Sequence, residues 1–283
     1  MSDKILVLGA SSWLGSLLIN QLPKDNIEII GTVFKSNILV PKNVKIIRTD
    51  NSVDKYEKII LSYQPTVIIN FLRGEDDQGF QLHKKIIALS NTLLIHYVYV
   101  SSVLALDAYK NIDLTESLKA KSISPYGIFK AKCEEELYLA DISWCILRFS
   151  SVQGWVSHKP TRNQIILQRL VNNEVINVDR GVFQNRILAT LLTEGILNLI
   201  KDKITGIIHF GSQDSSEEYC FLKKQAELFG LNKELIHSGK KRYINLVAVP
   251  KKIHELYGHK YIVTENDTLK GLINIDELNK IKA

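Results

Sequence analysis

Three side chains in this sequence have the types and the spacing for acid–base chemistry. Tyr126 and Lys130 are four residues apart, so in a helix both leave the same face, one turn from each other. A phenol has a pKa near ~10, and an ammonium fixed beside it favours the phenolate and lowers that pKa. The hydroxyl of Ser102, about two dozen residues upstream, could bind the carbonyl oxygen that Tyr126 protonates. Together these groups suit the interconversion of a ketone and an alcohol.

A glycine turn follows the first apolar stretch of the chain. Residues 5–8 are continuously apolar, as in a strand buried on both faces of a parallel sheet, and residues 16–22 read as a helix. The turn between them carries Gly9, Ser11, Ser12, Trp13 and Leu14, with Ser12 in place of the middle glycine of a Gly-x-x-Gly-x-x-Gly pattern. Strand, turn and helix in this order predict a dinucleotide site in which helix amides bind a pyrophosphate.

The end of the second predicted strand bears on the choice of cofactor. An NAD-selective site often has a carboxylate there, which binds the ribose hydroxyls. Residues 27–34 are followed by Lys35 and Ser36 in this chain, and no carboxylate is present. Lys35 could meet a 2′-phosphate instead, so we expect NADPH to be preferred, with NADH left open.

Apolar runs alternate with helical stretches along the first half of the chain. Further strands are predicted at residues 44–47, 66–71, 95–100 and 143–149, and a helix at residues 124–140. This alternation predicts an α/β fold with a Rossmann-type, doubly wound parallel sheet. Ligands of such sheets bind beyond the carboxyl ends of the strands. The residues at these ends are Gly9, Lys35, Asp50, Phe71 and Ser102.

The pattern changes after Ser150, where helices alternate with shorter strands. We therefore expect a dinucleotide-binding Rossmann domain at residues 1–150 and a smaller, C-terminal substrate-binding lobe at residues 151–283. Part of the second half, about residues 175–200, is expected to return to the Rossmann domain. Arg186, just before a helical stretch, is a candidate phosphate ligand.

Composition excludes several classes of protein. The 283 residues are 45% hydrophobic and 23% charged, which is typical of a globular protein. The net charge of +6 favours an anionic ligand, but the lysines are dispersed, so we expect no nucleic-acid partner. The three cysteines and seven histidines show no metal-ligand spacing, and a reducing cytoplasm is expected. Residues 92–106 are too short and too polar for a membrane span.

Several stretches of the chain are recognisable at this point. The chain resembles the extended short-chain dehydrogenase/reductase superfamily, and within it the dTDP-4-dehydrorhamnose reductase family. The similarity is convincing over residues 1–232 and weak beyond them. The matching stretches are Val7-Leu8-Gly9-Ala10-Ser11-Ser12-Trp13-Leu14-Gly15, Val98-Tyr99-Val100-Ser101-Ser102, Tyr126-Gly127-Ile128-Phe129-Lys130 with Glu134 or Glu135 beyond, Ile146-Leu147-Arg148-Phe149-Ser150 and Gly206-Ile207-Ile208-His209-Phe210-Gly211.

This resemblance implies an NAD(P)H-dependent reductase of a nucleotide-linked 4-keto-6-deoxy sugar, in deoxysugar biosynthesis for a surface polysaccharide or a glycosylated product. It implies that Tyr126 donates a proton, Lys130 binds the nicotinamide ribose and Ser102 polarises the ketone. A homodimer is compatible with it. The implied cofactor residues are Gly9, Ser11, Ser12, Trp13 and Leu14 at the pyrophosphate, Asp50 and Asn51 near the adenine, and Phe71, Leu72 and Arg73 on the nicotinamide side. The implied substrate residues are Ser102, Val103, Ser151 and Arg186.

The chain also departs from that family. The family usually has Ser-Thr-Asp-Tyr-Val-Phe after the fifth strand, where this chain has Ser-Ser-Val-Leu-Ala-Leu, and its Ser-Trp after the sixth strand is Ser150-Ser151 here. Rhamnose is therefore not established as the product. A 4,6-dehydration needs carboxyl groups where Val103 and Leu104 stand, which excludes that activity. A 4-epimerase, which uses the same tyrosine–lysine pair, and a cofactor-binding regulatory subunit without turnover remain as alternatives.

Overall fold

The fold of this chain, known from a computed structural model, is described for residues 3–22, 27–36, 38–50, 52–155 and 160–273. Asn51, expected near the adenine, lies outside these residues. By internal contacts the chain divides into two compact units. The first comprises Met1–Leu106, Lys119–Arg148 and Leu192–Ile208, and the second comprises Asp107–Leu118, Phe149–Leu191 and His209–Ala283.

Strands and helices alternate through the first half of the chain. In order they are β1 (Asp3–Leu8), α1 (Trp13–Gln21), β2 (Ile27–Val33), β3 (Val44–Arg48), α2 (Val53–Tyr63), β4 (Val67–Asn70), α3 (Asp77–Leu93), β5 (His96–Val100), a 3₁₀ turn (Val103–Leu106), α4 (Pro125–Tyr138) and β6 (Trp144–Phe149).

Shorter elements follow in the second half. They are β7 (Ser151–Gln153), α5 (Arg162–Val171), β8 (Ile176–Gln184), β9 (Arg186–Leu188), α6 (Ala189–Lys201), β10 (Gly206–Phe210), β11 (Ser216–Glu217), α7 (Glu218–Leu228), β12 (Ile236–Leu246), α8 (Lys251–Tyr257) and α9 (Glu265–Gly271), with 3₁₀ turns at Lys233–Leu235 and Gly258–Tyr261.

A seven-stranded sheet in the order β10-β6-β5-β4-β1-β2-β3 organises the fold. The ladders that join β6, β5, β4, β1, β2 and β3 are all parallel. The predicted α/β class with a doubly wound parallel sheet is therefore confirmed. Because the strand order reverses beside β1, the carboxyl ends of β1 and β4 open a crevice where this class of sheet binds ligands.

Helices cover both faces of this sheet. Ile30 of β2 packs in a core cluster with Tyr56 of α2, Ile86 of α3 and buried residues of α4. Neighbouring strand residues point to opposite faces. Gly31 accordingly faces α1, because a Cβ built there would lie 3.2 Å from the side chain of Ile19. Apolar contact on both faces explains why the strands read as continuous apolar runs in the sequence.

The second unit contains two small sheets. β8 pairs with β11 in antiparallel fashion and with β12 in parallel fashion, and β7 pairs with β9. Its main core cluster contains Ile166 of α5, Val178 of β8, Phe221 of α7 and Leu269 of α9. The helical stretch predicted after Arg186 begins later than expected: Ile187 and Leu188 join Arg186 in β9, because they pair with β7 before the helix begins at Ala189.

Candidate active site

The start of α4 places Tyr126 and Lys130 on one face of the helix. Ser124 is the N-cap, and its hydroxyl accepts a hydrogen bond from the amide of Gly127 at 3.3 Å. Pro125 occupies the first turn, where a missing N–H costs nothing. The ammonium of Lys130 consequently lies 5.6 Å from the centroid of the Tyr126 ring. The predicted one-turn spacing of the pair is present in the structure.

Lys130 is buried and is held by the neighbouring strand. Its Nζ donates to the carbonyl oxygen of Val100 at 2.9 Å and lies 4.7 Å from the ring centroid of Tyr99. Burial lowers its pKa from the usual value to about 8, since an ammonium loses hydration there. An ammonium has three donors, so Lys130 retains donors for a ligand after the bond to Val100.

Tyr126 is partly buried, and that burial raises the pKa of its phenol above the usual value. The charge of Arg73 lowers this pKa and the charge of Glu75 raises it, but both effects are smaller than that of burial. The net direction is opposite to that expected from a neighbouring ammonium alone. In the free protein the phenol is therefore firmly protonated at neutral pH, which is the form that donates a proton.

Ser102 lies between β5 and the 3₁₀ turn that follows it. Its Oγ accepts a hydrogen bond from the amide of Leu104 at 3.2 Å, so its own proton remains available to a ligand. The turn contacts α4 directly. A Cβ built on Gly127 would lie 2.1 Å from the carbonyl oxygen of Leu104 and 2.1 Å from the hydroxyl of Ser122. Backbone contact without an intervening side chain thus brings the helix of Tyr126 against the turn of Ser102.

A buried ionic network connects these elements. The carboxylate of Glu134, one turn beyond Lys130, accepts from Ser101 Oγ at 2.5 Å and from Arg148 Nη2 at 2.5 Å. Tyr138 donates to the same carboxylate at 2.7 Å, and the side chains of Glu134 and Arg148 are fully buried. The pKa of Arg148 is raised despite its burial, because Glu134 stabilises the guanidinium. The network fixes α4 to the ends of β5 and β6, where Ser101 and Arg148 lie.

The turn after β1 has the shape of a pyrophosphate cradle. Gly9 has φ +75, and a Cβ on it would lie 3.1 Å from the carbonyl carbon of Phe71. Its amide donates to Thr32 Oγ1 at 3.1 Å, which ties the turn to β2. Ser12, the residue in place of a glycine, caps α1 by accepting from the amide of Gly15 at 3.1 Å. The first amides of α1, at Trp13 and Leu14, have no partner within the helix and can bind an anion.

Residues predicted near the adenosine lie at the ends of β2 and β3. Lys35 is exposed, with its Nζ 5.0 Å from the centroid of the Phe34 ring. Arg48 Nη1 donates to the carbonyl oxygens of Phe34 and Lys35, at 3.0 and 3.3 Å. Asp50 is exposed and accepts from the hydroxyl of Ser52 at 2.7 Å, and these bonds lower the pKa of Asp50. Basic groups, rather than a carboxylate, therefore flank the end of β2.

The predicted substrate residues have different surroundings. Val103 is 1% exposed and belongs to the core. In the second unit, the hydroxyl of Ser151 accepts from Gln153 at 2.7 Å. Arg186 is fully buried there, bound to Glu218 at 2.9 Å and to Glu265. Since two carboxylates already neutralise Arg186, its observed role is to join α7 and α9 to β9.

A buried polar network that was not predicted from the sequence lies beside the end of β4. His83 Nε2 lies 2.8 Å from the carbonyl oxygen of Cys133, and its Nδ1 lies 3.0 Å from the Tyr97 hydroxyl. Burial lowers the pKa of His83 to about 4, so the ring is neutral at pH 7. A carbonyl only accepts, so Nε2 carries the proton and Nδ1 accepts from Tyr97. Asn70 donates to Tyr97 at 2.8 Å and accepts from the amide of Leu72 at 2.9 Å. The sequence feature that could have indicated this network is Asn70, a polar residue at the end of an otherwise apolar strand.

A half-open cavity of about 130 Å³ lies against this network. Its lining includes Arg73 and Gly74, which follow β4, together with Tyr99, Phe129 and Cys133. The hydroxyl of Tyr99 is buried and has no hydrogen-bond partner within the part of the chain that the structure describes. The cavity has room for several water molecules next to the helix that carries Tyr126.

Two classes of feature are absent from the described residues. No cluster of histidine, cysteine and carboxylate side chains there could hold a metal ion. No helix in those residues is both long enough and apolar enough to cross a bilayer.

Several proteins of known structure share this fold, and their names describe enzymes that carry out different reactions on nucleotide sugars. The dTDP-glucose 4,6-dehydratase of Bacillus anthracis, in complex with NAD, is 15% identical, with a TM-score of 0.84 and coverage of 98% of this chain and 97% of that one. The dTDP-4-dehydrorhamnose reductase of the same species, in complex with NADP, is 16% identical, with a TM-score of 0.74 and coverage of 95% and 97%. The UDP-N-acetylglucosamine 4-epimerase of Bacillus cereus is 16% identical, with a TM-score of 0.73 and coverage of 99% and 98%. At these identities the likeness establishes the fold alone.

A comparison with curated protein sequences finds no match. The sequence profile of the NAD dependent epimerase/dehydratase family, in contrast, matches residues 5–178, which is more than half of the chain. The matched part includes the glycine turn after β1, Ser102, and the tyrosine–lysine pair of α4. The chain belongs to the NAD dependent epimerase/dehydratase family.

Proposed function

We propose that this protein is an NAD(P)H-dependent reductase of a nucleotide-linked 4-keto-6-deoxy sugar. The observation that carries the proposal is the juxtaposition at α4: a protonated Tyr126, an ammonium 5.6 Å from its ring and the turn of Ser102 packed against the same helix. These are a proton donor, a cation that stabilises the phenolate and a hydroxyl that polarises a carbonyl.

The residues at the end of β1 fit a nicotinamide dinucleotide. A side chain at Gly9 would fill the space against Phe71, so the turn leaves its backbone open to a close ligand. The N–H groups at the start of α1 form the positive end of the helix dipole and would face the pyrophosphate of the dinucleotide. Similar solved structures hold NAD or NADP, which supports this assignment. When bound, the reduced dinucleotide would supply the hydride that converts the carbonyl carbon to an alcohol carbon.

The protein's own residues manage the proton in this reaction. Ser102 donates a hydrogen bond to the carbonyl oxygen and draws charge onto it. Tyr126 transfers its phenolic proton to that oxygen, so that the ketone becomes an alcohol and the phenol becomes a phenolate. The ammonium of Lys130, fixed by the carbonyl of Val100, stabilises the phenolate until solvent reprotonates it. Each turnover consumes one hydride and one proton, which balances the reduction.

The turn after Ser102 argues against dehydration. Elimination of water needs a carboxyl acid and a base beside the sugar ring, but Val103 and Leu104 stand here and neither transfers protons. A 4-epimerase is the second candidate, because it uses the same tyrosine–lysine pair and a solved 4-epimerase has a similar fold. A regulatory subunit without turnover is the third candidate, and the intact Ser102, Tyr126 and Lys130 argue against it.

A screen of nucleotide sugars, 4-keto-6-deoxy sugars with NADPH and 4-hydroxyl sugars with NAD, tests the proposal. Net consumption of NADPH in step with substrate supports a reductase. Turnover without net consumption supports the epimerase, and no turnover with any sugar contradicts both. Tyr126→Phe should lower kcat by about 10²- to 10⁴-fold while the dissociation constant of NADPH changes little. Tyr63→Phe, in α2, is the matched control and should retain full activity.

We also propose a modest preference for NADPH over NADH. Lys35 and Ser36 are exposed at the end of β2, and Arg48 holds the carbonyl oxygens of Phe34 and Lys35 beside them. An exposed ion pair with a 2′-phosphate contributes about 1 kcal/mol, which is roughly a fivefold difference in affinity. Lys35→Ala should weaken NADPH and leave NADH unchanged, whereas Lys58→Ala, an exposed lysine of α2, should change neither. Equal losses for both cofactors in Lys35→Ala would contradict the assignment.

A further inference from the structure

Two opposite charges border the ring of Tyr126 from the short connection between β4 and α3. The guanidinium carbon of Arg73 lies 6.0 Å from the centroid of the Tyr126 ring. Glu75, two residues later, approaches Arg73 Nε at 4.0 Å. The side chains of Arg73 and Glu75 are 81% and 44% exposed, so neither is fixed by burial. Gly74 separates them and, like Arg73, lines the cavity beside α4.

The charges around the phenol come from two elements. Lys130 approaches it from α4 itself, and Arg73 and Glu75 approach it from the β4–α3 connection. β5 contributes Tyr99, which lies under Lys130 and is neutral at physiological pH because burial raises its pKa. Besides burial, which has the largest effect, two cations and one carboxylate therefore surround the phenol of Tyr126.

The two cations differ in how they respond to pH. Burial lowers the pKa of Lys130 to about 8, so the charge of its ammonium declines in mildly alkaline solution. A guanidinium keeps its charge at every pH that proteins tolerate. Arg73 is therefore the cation that persists near Tyr126 when Lys130 has lost its proton. Glu75 opposes this effect, both through its own charge and through its approach to Arg73.

We propose that Arg73 is a positioning residue that favours the phenolate of Tyr126, that Glu75 opposes it, and that this pair sets the pH range of the reaction. The inference rests on the proposed role of Tyr126 as the proton donor. It assigns to the connection after β4 a function beyond lining the nicotinamide side. The magnitude follows from Coulomb's law, because a unit charge at about 6 Å in a water-like medium shifts a pKa by roughly 0.5.

The pH dependence of kcat for reduction, at saturating NADPH and substrate, separates this role from a structural one. Reduction needs the protonated phenol of Tyr126 and the ammonium of Lys130, so activity falls at alkaline pH as these groups lose their protons. Arg73→Gln should move this alkaline limb to higher pH by about 0.5, and Glu75→Gln should move it to lower pH by a similar amount. Arg73→Lys should restore the wild-type limb. High salt should reduce both shifts, since the two side chains are exposed.

A second measurement does not depend on knowing the substrate. Tyrosine labelled with carbon-13 at the phenolic carbon reports the ionisation of each ring by NMR, and Tyr126→Phe identifies the resonance of Tyr126. Its midpoint should rise in Arg73→Gln and fall in Glu75→Gln, even if no sugar is turned over. Three results would overturn the inference: shifts of the same sign in both variants, identical midpoints in the wild type and both variants, or no titration of Tyr126 before the protein unfolds. Opposite shifts without any turnover would leave it standing while contradicting the proposed reaction.

Discussion

Removal of the charge at Glu134 is the sharpest test of what positions α4, the helix that carries Tyr126 and Lys130. Glu134→Gln keeps the size of the side chain and leaves the guanidinium of Arg148 buried without a countercharge. Both side chains are fully buried, and the carboxylate accepts hydrogen bonds from Ser101, Tyr138 and Arg148. The change therefore removes one charge from a site that water cannot reach.

The expected magnitude follows from this burial. Breaking one partner of a buried ion pair costs about 3–5 kcal/mol, because the remaining charge is uncompensated. That cost is a large part of the roughly 5–15 kcal/mol that stabilises a typical protein. Replacing both partners, as in Glu134→Gln with Arg148→Met, removes the stranded charge. We expect the double variant to be more stable than Glu134→Gln alone.

Urea unfolding at pH 7, followed by far-UV circular dichroism, measures these differences in the four chains of a double-mutant cycle. Glu135→Gln is the matched control, because Glu135 is the next residue of the same helix and is exposed. It should change the free energy of unfolding by less than about 0.5 kcal/mol. Since Ser101 adjoins Ser102 and Glu134 lies one turn from Lys130, kcat of Glu134→Gln should fall as well, whereas kcat of Glu135→Gln should not change.

Two outcomes would refute this reasoning. If Glu134→Gln were as stable as Glu135→Gln, the carboxylate would not compensate a buried guanidinium. If the free energies of the two single variants simply added in the double variant, Glu134 and Arg148 would not be coupled, contrary to their 2.5 Å contact.

Two further predictions concern the cradle and the lysine. Gly9→Ala should weaken NADPH binding tenfold or more in a fluorescence titration, because the new Cβ would lie 3.1 Å from Phe71. Gly230→Ala is the control, since Gly230 also has a positive φ but nothing lies within 4 Å of its Cβ position. This control should lose about 1–2 kcal/mol of stability and bind NADPH normally. Lys130→Met should abolish activity yet raise the free energy of unfolding of the free protein at pH 7 by about 1–3 kcal/mol. Because the folded pKa of about 8 lies below the ordinary 10.5, the charged lysine destabilises the fold at low pH, and the gain should vanish in urea unfolding near pH 10.5.

The parallel sheet could be predicted because burial on both faces leaves a signal within each strand. β1 and β4 contain unbroken apolar runs at residues 5–8 and 67–69, and helices of the same half of the chain begin at polar caps such as Ser52 and Ser124. β12, by contrast, begins Ile-His-Ser-Gly-Lys-Lys and is largely exposed, so its sequence has no apolar pattern that predicts a strand. Its strand conformation depends on pairing with β8, some sixty residues earlier in the chain.

The surroundings of individual charges could not be predicted in the same way. Arg186 stands before a helix, as a phosphate ligand would, but its partners Glu218 and Glu265 come from distant helices. The burial that raises the pKa of Tyr126 likewise depends on tertiary packing. Residue types and local spacing indicated the tyrosine–lysine pair. The charged residues near this pair could not be predicted, because they are brought to it only by the folding of the chain.

The close approach at Gly127 has a consequence for how this protein can evolve. Every other amino acid would place a Cβ about 2.1 Å from Leu104 and Ser122, so a substitution there requires the 3₁₀ turn to retreat at the same time. A lineage that varies its substrate can exchange many side chains around the site, but this position admits no single-step change that keeps the helix in place. If Tyr126 carries out the proposed reaction, selection for that reaction also acts on Gly127, a neighbour that has no side chain.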